Sequence, residues 1–464
     1  MRRVTRILVL VVSVLTISGM AVAKELTLDD CLELALKNRA SIIAARGQET
    51  VAKWNERAAL GAFLPRVSAS YSYVKSKSTD IKSDELVPIG LDTLIDTFVV
   101  GLDTFLALSL RPTGFDVLEA ELDDQDRTSR SLDIRASMSV ANFSDWFDYA
   151  AARAERAGAR LDVIRSEQDL IYAVKTAYYA YLAAVENVGV QEDAVKRSEE
   201  QLKLIQSKFD LGSAAKSDVL KQKVRSGNDR LALLTGQNMV TTTRADLAYT
   251  VGIDPGGDVT FSTAFETREF HGTLNEAVDF GLNHKPSLLA ARKSVEAANH
   301  SVRSRWSEYL PKLSAFASLD WSDGTRGDTV VFNFSSRSRT VGFEVTYNIF
   351  DGFFRERNLS QSRVSLNDAR AGLADMTNLV SRDIRTAYFD IEKLKEQKRV
   401  AQENVDAAQE DMKITQEKYN LGAATILDLL DAQVSLKTAQ VSLVRAGFEL
   451  NLSVAALERA MGKM

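Results

Sequence analysis

The sequence predicts a mainly helical, internally duplicated protein with a membrane β part. Long coiled-coil hairpins would ring a hollow α-barrel, joined to a β-barrel that one chain has too few strands to close. Three observations carry this reading: the chain repeats itself, each copy holds two alternating runs of about ten residues, and each copy contains a proline-free helical block that turns back at a Leu-Gly pair.

Composition narrows the function classes first. The 464 residues are 45% apolar and 26% charged, with 6 Pro, 3 His and 1 Cys. One cysteine excludes a disulfide framework and a Cys-based metal site. The histidines, His271, His284 and His300, are scattered, and no metal-ligand cluster, phosphate loop or nucleophile–base set is seen. A formal charge of −5 argues against a nucleic-acid partner. The expectation is a protein that is not an enzyme and needs no cofactor.

The chain opens with an export address. Arg2, Arg3 and Arg6 precede the apolar run Ile7 to Met20, which ends in Ala21-Val22-Ala23. A basic start, a short apolar stretch and an A-x-A site describe a signal peptide over residues 1–23. Beyond it no run is long and apolar enough to be read as a transmembrane helix.

The duplication spans residues 24–252 and 272–464. Thr27-Leu28 through Leu64-Pro65 matches Thr273-Leu274 through Leu310-Pro311 at a constant offset of 246. A second block, from Lys175 to Gly252, matches Arg385 to Gly462 at an offset of 210 with no gap. Gapless agreement over that length is not a chance event.

Within the copies, four strands are expected at about 66–74, 132–141, 313–321 and 340–350. Val67, Ala69, Tyr71 and Tyr73 alternate with serines; Leu132, Ile134, Ala136, Met138 and Val140 alternate with polar residues. Leu313 to Trp321 and Val341 to Ile349 repeat the pattern. Tilted strands of this length cross an outer membrane, but four cannot close a barrel, so several chains must share one.

The helical blocks run from near Ser144 to Phe209 and from Gly352 to Tyr419. The helix returning from the second carries two heptad stripes: Leu427, Val434, Val441, Phe448 and Ala455, and Leu429, Leu436, Leu443, Leu450 and Leu457. The stripes stand roughly 200° apart, which gives the helix a neighbour on each side and lets such helices close into a ring.

A duplicated exported chain, Leu-Pro before a strand, and the segment Lys418-Tyr419-Asn420-Leu421-Gly422-Ala423 leading to Asp428-Leu429 together resemble the TolC-like outer-membrane efflux protein family. The resemblance implies a homotrimer with a 12-stranded barrel in the outer membrane and a 12-helix barrel reaching into the periplasm. It implies an exit duct for efflux pumps or type I secretion, partnered by a periplasmic adaptor and, through it, an inner-membrane transporter. The competing expectation is a soluble periplasmic coiled-coil adaptor or spacer.

The same resemblance marks Asp428 and Asp431 as periplasmic gate residues and Tyr419 as a latch between hairpins. Residues three apart share a helix face, so threefold symmetry would place six carboxylates around one pore. Asp428 has a competing explanation, because a carboxylate near a helix start is favoured by the dipole. Ala424 stands where the family often has an arginine. Leu211-Gly212-Ser213-Ala214 and Leu421-Gly422-Ala423-Ala424 match the tips that dock the adaptor.

One departure is the long loop 76–131 between the first two strands. Its 12 acidic and 5 basic residues give −7, nearly the whole −8 that the chain carries without the three arginines of residues 1–23. Leu91, Leu94, Ile95, Phe98, Leu102 and Phe105 fall at helical spacing, so a helix is expected there.

Overall fold

The structure is a computed structural model describing residues 25–78, 85–100, 103–118, 125–257, 259–263, 270–326 and 336–464. The predicted signal peptide lies outside these. Two compact units are present, and each draws on both sequence copies: 1–57, 147–306 and 354–464 in one, 58–146 and 307–353 in the other. The duplication is thus not a division into two units, since each copy sends its helices to one and its strands to the other.

The first unit is helical. Its elements are α1 (Leu28–Asn38), α2 (Ala40–Leu60), α3 (Phe143–Asp210), α4 (Lys216–Val251), α5 (Leu274–His284), α6 (Pro286–Ser307), α7 (Phe354–Asn420) and α8 (Ile426–Met461), with the inner ends of α2, α3 and α6 crossing into the second unit. The repeat recurs in local chemistry. Thr27 and Asp30 form a capping box on α1, and Thr273 and Glu276 form its counterpart on α5. Helices α4 and α8 both end on a left-handed glycine, Gly252 and Gly462. A Cβ on Gly462 would come within 2.9 Å of Lys285 Cα, so glycine lets α8 end against the α5–α6 corner.

Copy one buries Val174, Tyr178, Leu182, Leu247 and Val251 of α3 and α4 around Cys31, Ala35 and Ile42. Phe448 of α8 joins this cluster. The Cys31 thiol is pushed up to about 12, chiefly by burial, and acts as a small core residue. Copy two builds the matching cluster from Ile384, Ile391, Leu450, Val454 and Leu457. No helix among the described residues is long and apolar enough to cross a membrane.

The second unit is β-structure: β1 (Arg66–Ser78), β2 (Glu85–Val100), β3 (Asp103–Leu118), β4 (Gln125–Ala141), β5 (Lys312–Arg326) and β6 (Ser336–Thr346). Four strands pair antiparallel in the order β1-β4-β5-β6, so β1 and β6 are free edges. Register sorts chemistry by face. Val67, Ala136, Ala317 and Val341 form one cross-sheet row, and Tyr71, Leu132, Trp321 and Arg337 form another on the same face, which over this span is apolar but for Arg337 and Arg339 at the β6 end. Between them on the opposite face run Ser68, Arg135, Ser318 and Thr340, then Ser70, Asp133, Asp320 and Ser338. A one-residue slip would exchange the faces, so the alternation fixes the register.

The strands differ in extent from the sequence expectation. Three are longer, and the last spans Ser336–Thr346 rather than 340–350, because Tyr347 to Phe350 lead into a turn before α7. The larger correction concerns the loop 76–131. No helix forms over Leu91 to Phe105 in the described residues; β2 and β3 pair instead as a separate two-stranded antiparallel ribbon. The helical spacing competed with a period of two: Val87, Ile89, Leu91, Thr93, Ile95, Thr97 and Val99 occupy every second position. Those residues are mostly β-branched, and Pro88 and Gly90 weaken a helix at its start.

Candidate functional site

Both long hairpins turn in the same way. After α3, Gly212 adopts φ 77° while Ser213 N–H donates to Lys208 O at 2.8 Å and Gly212 N–H to Phe209 O at 2.9 Å. After α7, Gly422 adopts φ 78°, Ala423 N–H donates to Lys418 O at 2.8 Å and Gly422 N–H to Tyr419 O at 3.2 Å. These are Schellman turns, and they account for the glycines. They do not account for Leu211 and Leu421, which are 84% and 85% exposed at the two tips. A large apolar side chain held in water at each bend has no role inside this chain. Ser213 and Ala214, like Ala423 and Ala424, keep the rest of each tip small.

Tyr419 lies three residues above its turn and is buried. It packs in a small cluster with Ile205 of α3 and Ile426 and Leu429 of α8, and Lys208 Nζ sits 4.7 Å from its ring centroid. It therefore ties the second hairpin to the first within one chain. Burial, with Asp218 nearby as a smaller cause, pushes its phenol above the ordinary value of 10.

The two predicted acids part company. Asp428 is the third residue of α8 and closes a capping box: its Oδ2 accepts from Thr425 N–H at 2.8 Å and Thr425 Oγ1 at 2.7 Å. Those bonds hold its carboxyl below 3.8. Asp431, one turn on, is exposed and makes no hydrogen bond or ion pair within the described residues. The helix explains Asp428 and leaves Asp431 unexplained.

Exposure also divides the stripes of α8. Leu429, Leu436, Leu450 and Leu457 are buried within the chain. On the other stripe Phe448 and Ala455 are buried, whereas Leu427 and Val434, nearest the tip, stand open. Helix α4 carries a bare stripe of its own, Leu220, Val224, Leu231 and Leu234, each more than half exposed. Among the described residues, the helical unit thus leaves apolar stripes uncovered and the sheet has two outer strands, β1 and β6. The family model for outer membrane efflux proteins matches residues 31–252 and 280–463, both copies and both hairpins.

The chain belongs to the outer membrane efflux protein family.

Relatives of this efflux protein include the outer membrane efflux protein BepC of Brucella suis, 22% identical, with 97% of this chain and 88% of that protein aligned. The alkaline protease secretion protein AprF of Pseudomonas aeruginosa is 22% identical over 65% of this chain and 64% of its own. Among solved structures, the outer membrane protein VceC of Vibrio cholerae shares the fold with a TM-score of 0.74 at 18% identity, covering 94% of this chain and 96% of that one. The efflux protein is accordingly a TolC-like outer-membrane protein extending into the periplasm.

Above the tips, the two hairpins of the efflux protein meet along a polar seam that the sequence reading missed. Asp229 of α4 is 1% exposed, with Lys437 of α8 at 2.9 Å and Arg225 at 3.0 Å. Gln222 Nε2 donates to Ser198 O at 2.9 Å across α3 and α4. On α3, α4 and α8, Gln201 Nε2, Gln222 Oε1 and both amide atoms of Gln433 are buried with no hydrogen-bond partner among the described residues. The signal was present, since Gln222, Ser226 and Asp229 recur at the i, i+4, i+7 spacing of a buried stripe. A search for apolar periodicity passes over such a stripe because its residues are polar.

Proposed function

We infer that this chain is one third of a passive trimeric exit duct with no catalysis of its own. The observation that carries the reading is the set of uncovered surfaces on a single chain: the free edges β1 and β6 and the bare apolar stripe of α4. A head-to-tail contact that pairs β6 of one copy with β1 of the next gives a closed twelve-stranded barrel after three copies. The apolar sheet face then meets lipid, and the Ser- and Asp-rich face lines a wet lumen. The α4 stripe supplies the corresponding helix–helix seam, and an isolated soluble adaptor would leave both edges without purpose.

In this assembly the Leu211 and Leu421 tips, with Gly212, Ser213, Ala214, Gly422, Ala423 and Ala424, dock a periplasmic adaptor that connects to an inner-membrane transporter. Asp431 provides the carboxylate ring at the periplasmic constriction. Asp428 serves mainly to start α8 and orient it, and Tyr419 latches the second hairpin to the first. Cargo passing through is a small molecule or an unfolded secreted protein, chosen by the transporter and not by this chain. Mass measurement of the detergent-extracted protein tests the assembly: a trimer that forms an open pore in planar bilayers is expected, and a stable monomer would sink the proposal.

A further inference from the structure

Helices α4 and α7 each present an exposed stripe with the same spacing. On α4 it steps by four and three residues through Lys216, Leu220, Lys223, Gly227, Arg230 and Leu234, all exposed. On α7 the same steps pass through Val400, Glu403, Ala407, Glu410, Ile414 and Glu417, again all exposed. Such steps keep one seam facing a neighbouring helix along a coiled coil. Every charge on the first stripe is basic, every charge on the second is acidic, and the positions between are apolar or small. Arg230 and Glu403 already have partners on their own chain, Glu199 and Arg399. Lys216, Lys223, Glu410 and Glu417 have no ion-pair partner among the described residues. Gly227 points the same way. Glycine inside a helix weakens it relative to alanine, and a Cβ here would meet nothing within 4 Å in the chain. Close approach of a helix from another copy gives the small residue a use.

The duplication supplies the register. Within one chain α3 and α8 run antiparallel, fixed by the Lys175–Glu458 ion pair at 3.0 Å and by Ile205 packing with Leu429 near the turns. This contact joins copy one to copy two. A closed tube also joins copy two of one chain to copy one of the next, and the offset of 210 carries α3 onto α7 and α8 onto α4. Lys175 and Glu458 become Arg385 and Ala248. Counting on along α7 and back along α4 from that pair, Glu403 comes opposite Arg230, Glu410 opposite Lys223 and Glu417 opposite Lys216. Val400, Ala407 and Ile414 fall one residue from the levels of Leu234, Gly227 and Leu220. One offset brings all of these together with no adjustable shift. The buried Asp229–Lys437 pair has Ala439 and Gly227 as its repeat equivalents, so charge pairing between chains falls to α4 and α7.

We propose that α4 of one copy lies antiparallel against α7 of the next, with Lys223 beside Glu410 and Lys216 beside Glu417 along an apolar core of Leu220, Leu234, Val400 and Ile414. The proposal rests on the trimeric reading above and names the helix that its bare α4 stripe meets. Charge pairs of this kind set partner and register, and salt weakens them.

Paired cysteines in the full chain, K223C with E410C, test it in membranes under mild oxidation. K223C with E403C and K223C with E417C are the controls, one heptad out of register in each direction. Native Cys31 is buried and does not interfere. Oligomer mass is measured separately on each variant. The expected result is a trimer in which K223C/E410C links neighbouring subunits at least tenfold faster than either control. A trimer with no link, or with equal links for all three pairs, overturns the α4–α7 contact and leaves the duct standing. Absence of a trimer overturns both. A link from K223C to a protein other than this chain also overturns it, in favour of an adaptor seated on α4. Charge reversal gives a second reading without a covalent bond. K223E and E410K should each speed trimer dissociation in low-salt detergent at least fivefold, and the two together should restore the parent rate within twofold. Single variants without effect, or a double variant that restores nothing, overturn the charge pairing.

Discussion

Asp229 and Lys437 form an ion pair of 2.9 Å between α4 and α8, joining the two hairpins of one chain where Asp229 is almost wholly buried. Arg225 Nε lies 3.0 Å from the other carboxylate oxygen, a charge contact without hydrogen-bond geometry. An acid buried to this degree is costly without cations, and removing a partner from a buried pair typically costs about 3–5 kcal/mol. Because Arg225 remains, Lys437→Met is expected to cost less than that, and Arg225→Met combined with Lys437→Met to cost more than the sum of the singles. Thermal unfolding of the four proteins in the cycle checks this; strict additivity would mean that the two cations act independently.

The gate assignment separates stability from selectivity. Asp431→Ala is expected to leave the melting temperature unchanged and to weaken cation preference and block in bilayer recordings. Asp428→Ala is expected to lower the melting temperature by removing the cap, with a smaller effect on cation block. The reverse pattern would return the gate to Asp428.

Acid sensitivity follows from the same cap. The folded-state value of Asp428 lies below its ordinary 3.8, so its stabilising effect is complete above 3.8 and fades as pH falls through the lower folded value. A spectroscopic label on α8 near Thr425 should report loosening of the first turn only in that acid range. Thr425→Ala should shift its onset upwards; an unchanged onset would show that the cap does not set it.

Leu211→Asp and Leu421→Asp should abolish adaptor-dependent export while trimer yield and melting stay as they are, because both side chains are bare in the chain. Loss of trimer in these variants would make the tips structural. Gly422→Ala acts differently, since its left-handed backbone disfavours a Cβ by about 1–2 kcal/mol.

The sheet faces can be told apart by charge. Val341→Arg on the apolar face should impair assembly in the membrane, by about 2–4 kcal/mol near the midplane, whereas Thr340→Arg on the neighbouring position should be tolerated. Heat-modified mobility of the extracted protein reads both. Equal tolerance would show that neither face meets lipid, and the reverse pattern would exchange them.

Much of this architecture was legible before any coordinates. The 246 and 210 offsets, the Leu-Gly turns and the alternation of Val67 to Tyr73 are local or periodic signals, and each matches an element of the structure. The ribbon was misread because its leucines satisfy a period of 3.6 while its Val, Ile and Thr satisfy a period of two. Antiparallel pairing of β2 with β3, which follows it two residues on, decided between them.

Sequence alone determined the duplication, the hairpins and the two-faced strands, because backbone periodicity and glycine conformation are properties of neighbouring residues. Tertiary structure decided the rest: that Asp428 is occupied by Thr425 while Asp431 is free, that Tyr419 faces Lys208 across the hairpins, and that Gln222 and Asp229 are buried. Those facts depend on which helix lies opposite, and a stripe of polar residues looks the same whether it meets water or another stripe.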